Sequence, residues 1–103
     1  MKGVTLSQND ASLLPGLLAF LPQRIRVIAF GSRVTGSSRP FSDLDLCLKG
    51  TPRLSDLEMA ELRERFQESN LSIKVDLVQY EDLPSSFQAE VDRIGIQVAP
   101  ELP

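Results

Sequence analysis

The seven residues DLDLCLK, at positions 43–49, constrain the fold more than any other part of the chain. Their strict alternation is typical of a strand, with three leucines facing one way and Asp43, Asp45 and Cys47 facing the other. Aspartate is depleted inside strands, and two aspartates on one face repel each other unless a positive charge lies between them. The segment therefore predicts a strand that buries one face and carries a charged site on the other.

Two further segments have the pattern of strands, RIRVIAF at positions 24–30 and SIKVDLVQY at positions 72–80. The first is rich in β-branched residues, ends at Gly31 and becomes fully apolar, as expected for a strand that enters a core. The second alternates, and it places Asp76 on the face opposite the apolar residues that flank it. The tail from Ile96 predicts a short edge strand that frays after Pro100.

Three helices are predicted around these strands. The first lies within positions 7–21 and is capped by Ser7, and Pro15 either kinks it or begins a second helix. The next begins at Ser55, where Ser55 and Glu58 form a capping box, and we expect it to reach about position 70. The last is predicted to start near Pro84 and to stop at position 95.

Length and composition restrict the classes of protein to consider. A chain of 103 residues with 42% apolar and 24% charged residues predicts a single domain over residues 1–103. The formal net charge of −3 argues against a general binder of DNA or RNA. No apolar run of about twenty residues is present, and the first ten residues lack the apolar segment of a signal peptide. We therefore expect a cytoplasmic protein.

One cysteine and no histidine narrow the chemistry further. Cys47 has no partner for an internal disulfide and lies in an apolar stretch, so a structural role is expected. Without histidine, the nucleophilic sites that pair histidine with serine or cysteine are excluded, as are the usual zinc sites. Any metal here would need carboxylate oxygens, which select Mg²⁺ or Mn²⁺.

The spacing of Asp43 and Asp45 fits metal binding. Residues i and i+2 of a strand project to the same face roughly 7 Å apart, so the two carboxylates can converge on one or two cations. Two divalent ions about 4 Å apart are a standard arrangement for phosphoryl or nucleotidyl transfer. The alternative is that Asp43 caps a turn after Ser42 and Asp45 lies on the solvated side of an edge strand. A third aspartate inside a strand, Asp76, favours the metal site.

The turn after RIRVIAF predicts a cradle for a triphosphate. Gly31 permits close approach of the backbone to a phosphate, and Ser32 can donate from its hydroxyl and its N–H at the start of a short helix. The alternative is an ordinary turn at the exit of a strand. Arg33 and Arg39 flank the next turn and either neutralise phosphate charge or hold the loop, with a solvated surface role as the alternative.

The run GSRVTGSSRPFSDLDL at positions 31–46, followed by Asp76, resembles the nucleotidyltransferases of the DNA polymerase β superfamily. It looks like the minimal nucleotidyltransferase (MNT) group, small stand-alone domains with the pattern G-S-R-x-x-G-x-x-R-P-x-S-D-[IL]-D-L. The spacing carries the specificity, and the resemblance extends from about Leu13 to Val98. The one departure lies at Val34 and Thr35, where many relatives carry Ala-Arg.

This resemblance implies a fold and a set of roles. The fold would be α/β (α+β), with a mixed sheet of three to four strands and helices packed mainly on one side. Gly31 and Ser32 would hold the β- and γ-phosphates of ATP, while Asp43 and Asp45 would hold two Mg²⁺ ions. Asp76 would share one ion and orient or deprotonate the attacking hydroxyl. The implied reaction is attack on the α-phosphate with loss of pyrophosphate.

The resemblance also implies a partner. MNT proteins are commonly encoded beside a HEPN-domain protein, and such pairs resemble toxin–antitoxin modules. The implied role is an antitoxin that transfers AMP from ATP to a tyrosine hydroxyl of the HEPN ribonuclease. One alternative is a non-catalytic antitoxin that neutralises its partner by complex formation. Another is transfer to a small molecule, which is disfavoured because nothing outside the core domain is available to enclose such an acceptor.

Overall fold

Helices and strands alternate along residues 3–100, the part of the chain that the computed structural model describes. In chain order they are α1 (Gln8–Leu18), β1 (Arg26–Phe30), α2 (Ser32–Thr35), β2 (Leu44–Lys49), α3 (Asp56–Gln67), β3 (Val75–Gln79), α4 (Ser85–Ile94) and β4 (Ile96–Ala99), with a 3₁₀ turn at Tyr80–Asp82. Every helix and strand predicted above is present, with ends that differ by a few residues.

The strands form one mixed sheet in the order β3-β2-β1-β4. Strand β1 runs antiparallel to both β2 and β4, whereas β2 and β3 are parallel and are joined by α3. A parallel pair needs such a crossover, because the chain must return to the end of the sheet where the first strand began. The C-terminal end of β1 and the N-terminal ends of β2 and β3 therefore meet at one end of the sheet. The mixed sheet confirms the predicted fold class.

The two faces of the sheet bury different cores. The larger core lies under α1 and α3 and contains Leu44, Leu46 and Leu48, the three leucines that define the alternation of β2. The smaller core lies under α4, where Cys47 is buried with Ile28, Phe30 and Val91. Burial raises the pKa of the Cys47 thiol to about 11, so the thiol stays protonated and inert. This agrees with the structural role expected for Cys47.

The helix starts follow the capping residues that the sequence contains. At α1 the Ser7 hydroxyl accepts from the Asp10 N–H at 3.1 Å. At α3 the Ser55 hydroxyl accepts from the Glu58 N–H at 3.1 Å, and the Glu58 carboxylate accepts from the Ser55 N–H at 2.9 Å. This confirms the predicted capping box. Pro15 is exposed within α1, which continues through it as a single helix.

A buried aspartate ties α1 to the segment before β3. Asp10 is 2% exposed, and its carboxylate accepts from the Ser72 N–H at 2.9 Å and from the Ser72 hydroxyl at 2.5 Å. Burial alone would raise the pKa of Asp10, but these hydrogen bonds and the nearby charge of Arg33 lower it below its ordinary value. The entry of the chain into β3 is thereby fixed to the first helix.

The C-terminal strand β4 lies at one edge of the sheet, as predicted, and it pairs with β1. The fraying expected after Pro100 falls on residues 101–103, which lie outside the described residues. Of the helices within residues 3–100, none has the length and apolar character needed to cross a membrane.

Candidate active site

Two of the three predicted metal-binding aspartates lie side by side on neighbouring strands. Asp45 of β2 pairs with Asp76 of β3 in the parallel register, and Phe30 at the end of β1 lies opposite Asp45 on its other side. Paired residues of adjacent strands project to the same face. Both carboxylates therefore lie on the α4 face, at the end of the sheet that β1 leaves. Asp43 comes just before β2, and it is half-buried like the other two.

The electrostatics of Asp45 show that several negative charges converge on it. Burial, followed by the charges of Asp76, Asp43 and Glu90, raises the pKa of Asp45 above its ordinary value. Each neighbouring carboxylate disfavours ionisation of Asp45, and partial removal from water does the same. A cation bound between these groups would remove the repulsion.

Glu90 is a site residue that the sequence reasoning missed. It lies on α4, directly before Val91, whose side chain packs against Phe30 and Cys47 on the α4 face of the sheet. Helical spacing offers a partial signal, because Glu90 lies three residues after Phe87 and four before Ile94, and residues three or four apart share one side of a helix. Only the packing of α4 across the sheet shows that this side includes the aspartates.

Gly31 brings the end of β1 against Asp45. Its backbone has φ +80° and ψ −157°, a region that is essentially restricted to glycine. A Cβ placed on Gly31 would collide with the Asp45 carboxylate. The backbone carbonyl of Gly31 accepts from the N–H groups of Val34 and Thr35, at 3.0 and 3.1 Å, which starts the short helix α2 at Ser32. The predicted phosphate cradle thus lies directly beside the carboxylates.

Arg33 has a different environment from the one predicted for a nucleotide-binding arginine. It is 5% exposed, and its guanidinium donates to four backbone carbonyls: those of Thr5 at 2.8 Å, Ser42 at 3.0 Å, Pro40 at 3.1 Å and Arg39 at 3.4 Å. Donors engaged in this way are not directed at a phosphate. Arg33 instead clamps the loop that leads to Asp43, because the fork of a guanidinium can bridge several carbonyls at once.

The clamped loop ends in a tight turn that exposes Arg39 and Phe41. The N–H of Arg39 donates to the Ser42 hydroxyl at 2.8 Å, and the Ser42 N–H donates to the Arg39 carbonyl at 3.0 Å. Within residues 3–100, no hydrogen bond or salt bridge holds the guanidinium of Arg39. Its contact with a nucleotide stays a prediction. Phe41 is 92% exposed at the same turn.

The residues present fit Mg²⁺ together with a phosphate ligand. In the described part of the chain, no three aspartate, glutamate, cysteine or histidine side chains form a ready set of metal ligands. Mg²⁺ is nevertheless usually held by one or two carboxylates together with the phosphates of its substrate. The paired Asp45 and Asp76 supply two carboxylates, and their oxygens match the preference of a hard cation.

Comparison with known proteins gives one family and several relatives. Residues 19–100 match the family model described as polymerase beta, nucleotidyltransferase. Over 93 residues the chain is 29% identical to the probable protein adenylyltransferase MntA of Haemophilus influenzae, an alignment that covers 90% of this chain and 82% of that protein. Residues 19–100, which match the family model, include all four strands and every candidate site residue.

Solved structures show the same fold. The crystal structure of a toxin–antitoxin with AMP-PNP matches with a TM-score of 0.67 and 25% identity, over 85% of this chain and 71% of that chain. A mutant of the toxin–antitoxin MntA–HpeT matches with a TM-score of 0.66 and 25% identity, over 91% of this chain and 72% of that chain.

Proposed function

Because this chain belongs to the polymerase beta nucleotidyltransferase family, we propose that it is an Mg²⁺-dependent antitoxin that transfers AMP from ATP to a tyrosine of a partner HEPN ribonuclease in the cytoplasm. The observation that carries the proposal is the pairing of Asp45 with Asp76 on one face, with Gly31 against Asp45. Similarity to a probable protein adenylyltransferase supports AMP as the transferred group. Similarity to toxin–antitoxin structures supports a toxin as the acceptor.

The residues of the site have separate roles in binding ATP and the metal. Gly31 and Ser32 bind the β- and γ-phosphates, and the free guanidinium of Arg39 adds positive charge to the same group. Asp43, Asp45 and Asp76 hold the metal. When bound there, Mg²⁺ would neutralise the carboxylates and the negative charge that develops on the phosphates. Arg33 acts indirectly, because its clamp on the loop sets the position of Asp43.

The chemical step is a displacement at the α-phosphorus of ATP. The tyrosine oxygen attacks this phosphorus as the bond to the departing pyrophosphate breaks, and a new phosphodiester between tyrosine and AMP forms. Asp76, on the outermost of the three strands, receives the proton of the tyrosine hydroxyl. The products are adenylylated partner and pyrophosphate, so atoms and charge balance without a further reactant.

The test is the intact mass of the HEPN partner after incubation with this chain, ATP and Mg²⁺. We expect a gain of one or more AMP units, and no gain with Asp43→Asn/Asp45→Asn, which removes two charges while almost preserving side-chain volume. Thermal unfolding of the double variant controls for loss of fold. A partner that gains no mass yet co-purifies in a stable complex would contradict enzymatic transfer and would favour neutralisation by contact.

A further inference from the structure

The order of the strands places ATP and the acceptor hydroxyl at different positions across the α4 face of the sheet. Gly31 ends β1, Asp45 lies on β2 and Asp76 lies on β3, and these strands are neighbours in that order. With the triphosphate at Gly31 and the proton acceptor at Asp76, the attacking hydroxyl lies on the Asp76 side of the site. That side is the free edge of β3.

The backbone of β3 is open to pairing along this edge. Within residues 3–100, β3 pairs with β2 and with no other strand. The Lys74 carbonyl accepts from the Leu44 N–H at 2.9 Å and so points toward β2. Because successive residues of a strand direct their N–H and C=O groups to opposite sides, the backbone groups of Val75 and Leu77 point outward. They flank Asp76 on both sides.

A cavity of about 530 Å³ runs beside this edge. Its lining includes the five consecutive residues 73–77 and, from α3, Arg63, Phe66 and Gln67. Side chains of a strand alternate between faces, so a lining of consecutive residues means that the cavity follows the backbone itself. The space therefore suits an extended segment of polypeptide.

We propose that the acceptor protein binds here in an extended conformation, pairs with β3 as an additional strand and places its tyrosine opposite Asp76. This inference rests on the proposed function. Residues paired across adjacent strands have Cβ atoms about 5 Å apart and share a face, so the tyrosine would lie on the face of Asp76 and Asp45. The backbone at Asp45 is two strand spacings, about 10 Å, from the added strand. Tyrosine has the longest hydroxyl side chain and can span toward it, whereas serine and threonine are too short.

Charge complementarity indicates what surrounds the tyrosine. Arg63 and Lys74 border the cavity, both are exposed, and neither forms a salt bridge within residues 3–100. Acidic residues on either side of the tyrosine would pair with them. The occupant is therefore an acidic, extended segment of the partner that contains one tyrosine.

The first experiment follows amide hydrogen exchange of the wild-type chain by NMR, with and without the HEPN partner, in the presence of Mg²⁺ and a non-hydrolysable ATP analogue. The Val75 and Leu77 amides should exchange at least about tenfold more slowly in the complex, as expected for new backbone hydrogen bonds. Unchanged exchange of these amides in an intact complex would overturn the proposal. Slowing that depends on the concentration of this chain without partner would also overturn it, because a second copy would then occupy the edge.

The second experiment removes one outward donor. Val75→Pro deletes an N–H that points away from β2 and should lower the rate of AMP transfer about tenfold, with binding of the ATP analogue retained. Val75→Ala keeps the N–H and is the matched control, expected to retain most of the transfer. If Val75→Pro fails to fold, Arg63→Glu/Lys74→Glu replaces it, with the same expected loss of transfer from charges at exposed positions.

These outcomes separate the two proposals. An absence of AMP transfer by the wild-type chain overturns the proposed function and this inference with it. Transfer by the wild-type chain that is matched by Val75→Pro or by Arg63→Glu/Lys74→Glu overturns the inference alone.

Discussion

At the scale of single residues, the site depends on two groups that act through the backbone. Gly31 has a backbone conformation restricted to glycine, and its missing Cβ leaves room for the Asp45 carboxylate. Arg33 holds the loop before Asp43 through four carbonyls. Both residues belong to the same sequence motif as the aspartates, so the motif encodes the shape of the loop as well as its ligands.

The first prediction compares Gly31→Ala with Gly36→Ala. Gly36 has a similar φ of +85°, but a Cβ there would meet nothing within 4 Å. We expect Gly36→Ala to lower the free energy of unfolding by roughly 1–2 kcal/mol, the cost of a left-handed conformation, and to leave AMP transfer nearly intact. Gly31→Ala should cost about 3 kcal/mol and reduce transfer about a hundredfold, because Asp45 must move.

Denaturant unfolding and the intact-mass assay measure the two quantities. Equal effects of the two substitutions would show that backbone strain alone matters at Gly31 and that its contact with Asp45 does not.

At the scale of secondary structure, features that depend on one segment could be predicted from the sequence, whereas contacts between distant segments could not. The alternation of β2 and the capping box at Ser55 are local, and both predictions are confirmed. The role of Arg33 depends on where Thr5 and Ser42 lie, and whether a guanidinium meets a phosphate or a carbonyl cannot be read from its neighbours in sequence. The hydrogen bond between Asp10 and Ser72 joins residues 62 positions apart, and no periodic pattern in the sequence predicts it.

The second prediction concerns the link between α1 and the segment before β3. The pKa of Asp10 is lower in the folded chain than its ordinary value of 3.8, so the unfolded chain binds more protons as the pH falls toward that value. The stability that Asp10 contributes is present above pH 3.8 and is lost as the pH falls through the folded pKa.

We expect Asp10→Asn to lower the free energy of unfolding at pH 7 by about 1–3 kcal/mol, because a charge-assisted acceptor of two hydrogen bonds is lost. The difference between variant and wild type should shrink as the solution is acidified. Unfolding curves at a series of pH values check this, and a difference that is constant with pH would contradict it.

At the scale of the whole molecule, negative charges are concentrated at the candidate active site, where they lower the stability of the fold. The chain carries a net charge of −3, and it places the charges of Asp43, Asp76 and Glu90 around the half-buried Asp45. Folding therefore adds the charges of Asp76 and Glu90 to the repulsion on Asp45, since neither is close to Asp45 in the sequence. Such a site is stabilised by its ligand, and without a ligand it lowers the stability of the domain.

The third prediction follows from the raised pKa of Asp45. A carboxyl group whose pKa is raised on folding makes the fold less stable as the pH rises from its ordinary value of 3.8 through the folded pKa, so its charge is destabilising at pH 7. Asp45→Asn should raise the free energy of unfolding in the absence of Mg²⁺ by about 0.5–2 kcal/mol, the range of common stabilising substitutions. Added Mg²⁺ should raise the melting temperature of the wild type more than that of the variant.

Thermal unfolding with and without Mg²⁺ tests both statements. A variant less stable than the wild type without metal would mean that Asp45 supports the fold rather than opposing it.

The parallel pairing of β2 with β3 sets the order in which the site is completed as the chain leaves the ribosome. Strands β1 and β2 are consecutive and antiparallel, so they can associate early, whereas β3 joins only after α3 has crossed the sheet. Asp76 is therefore the last of the three aspartates to arrive, and its repulsion of Asp45 begins only when the larger core has formed. A nascent chain that lacks β3 holds two of the three aspartates and lacks the strand edge proposed to receive the partner.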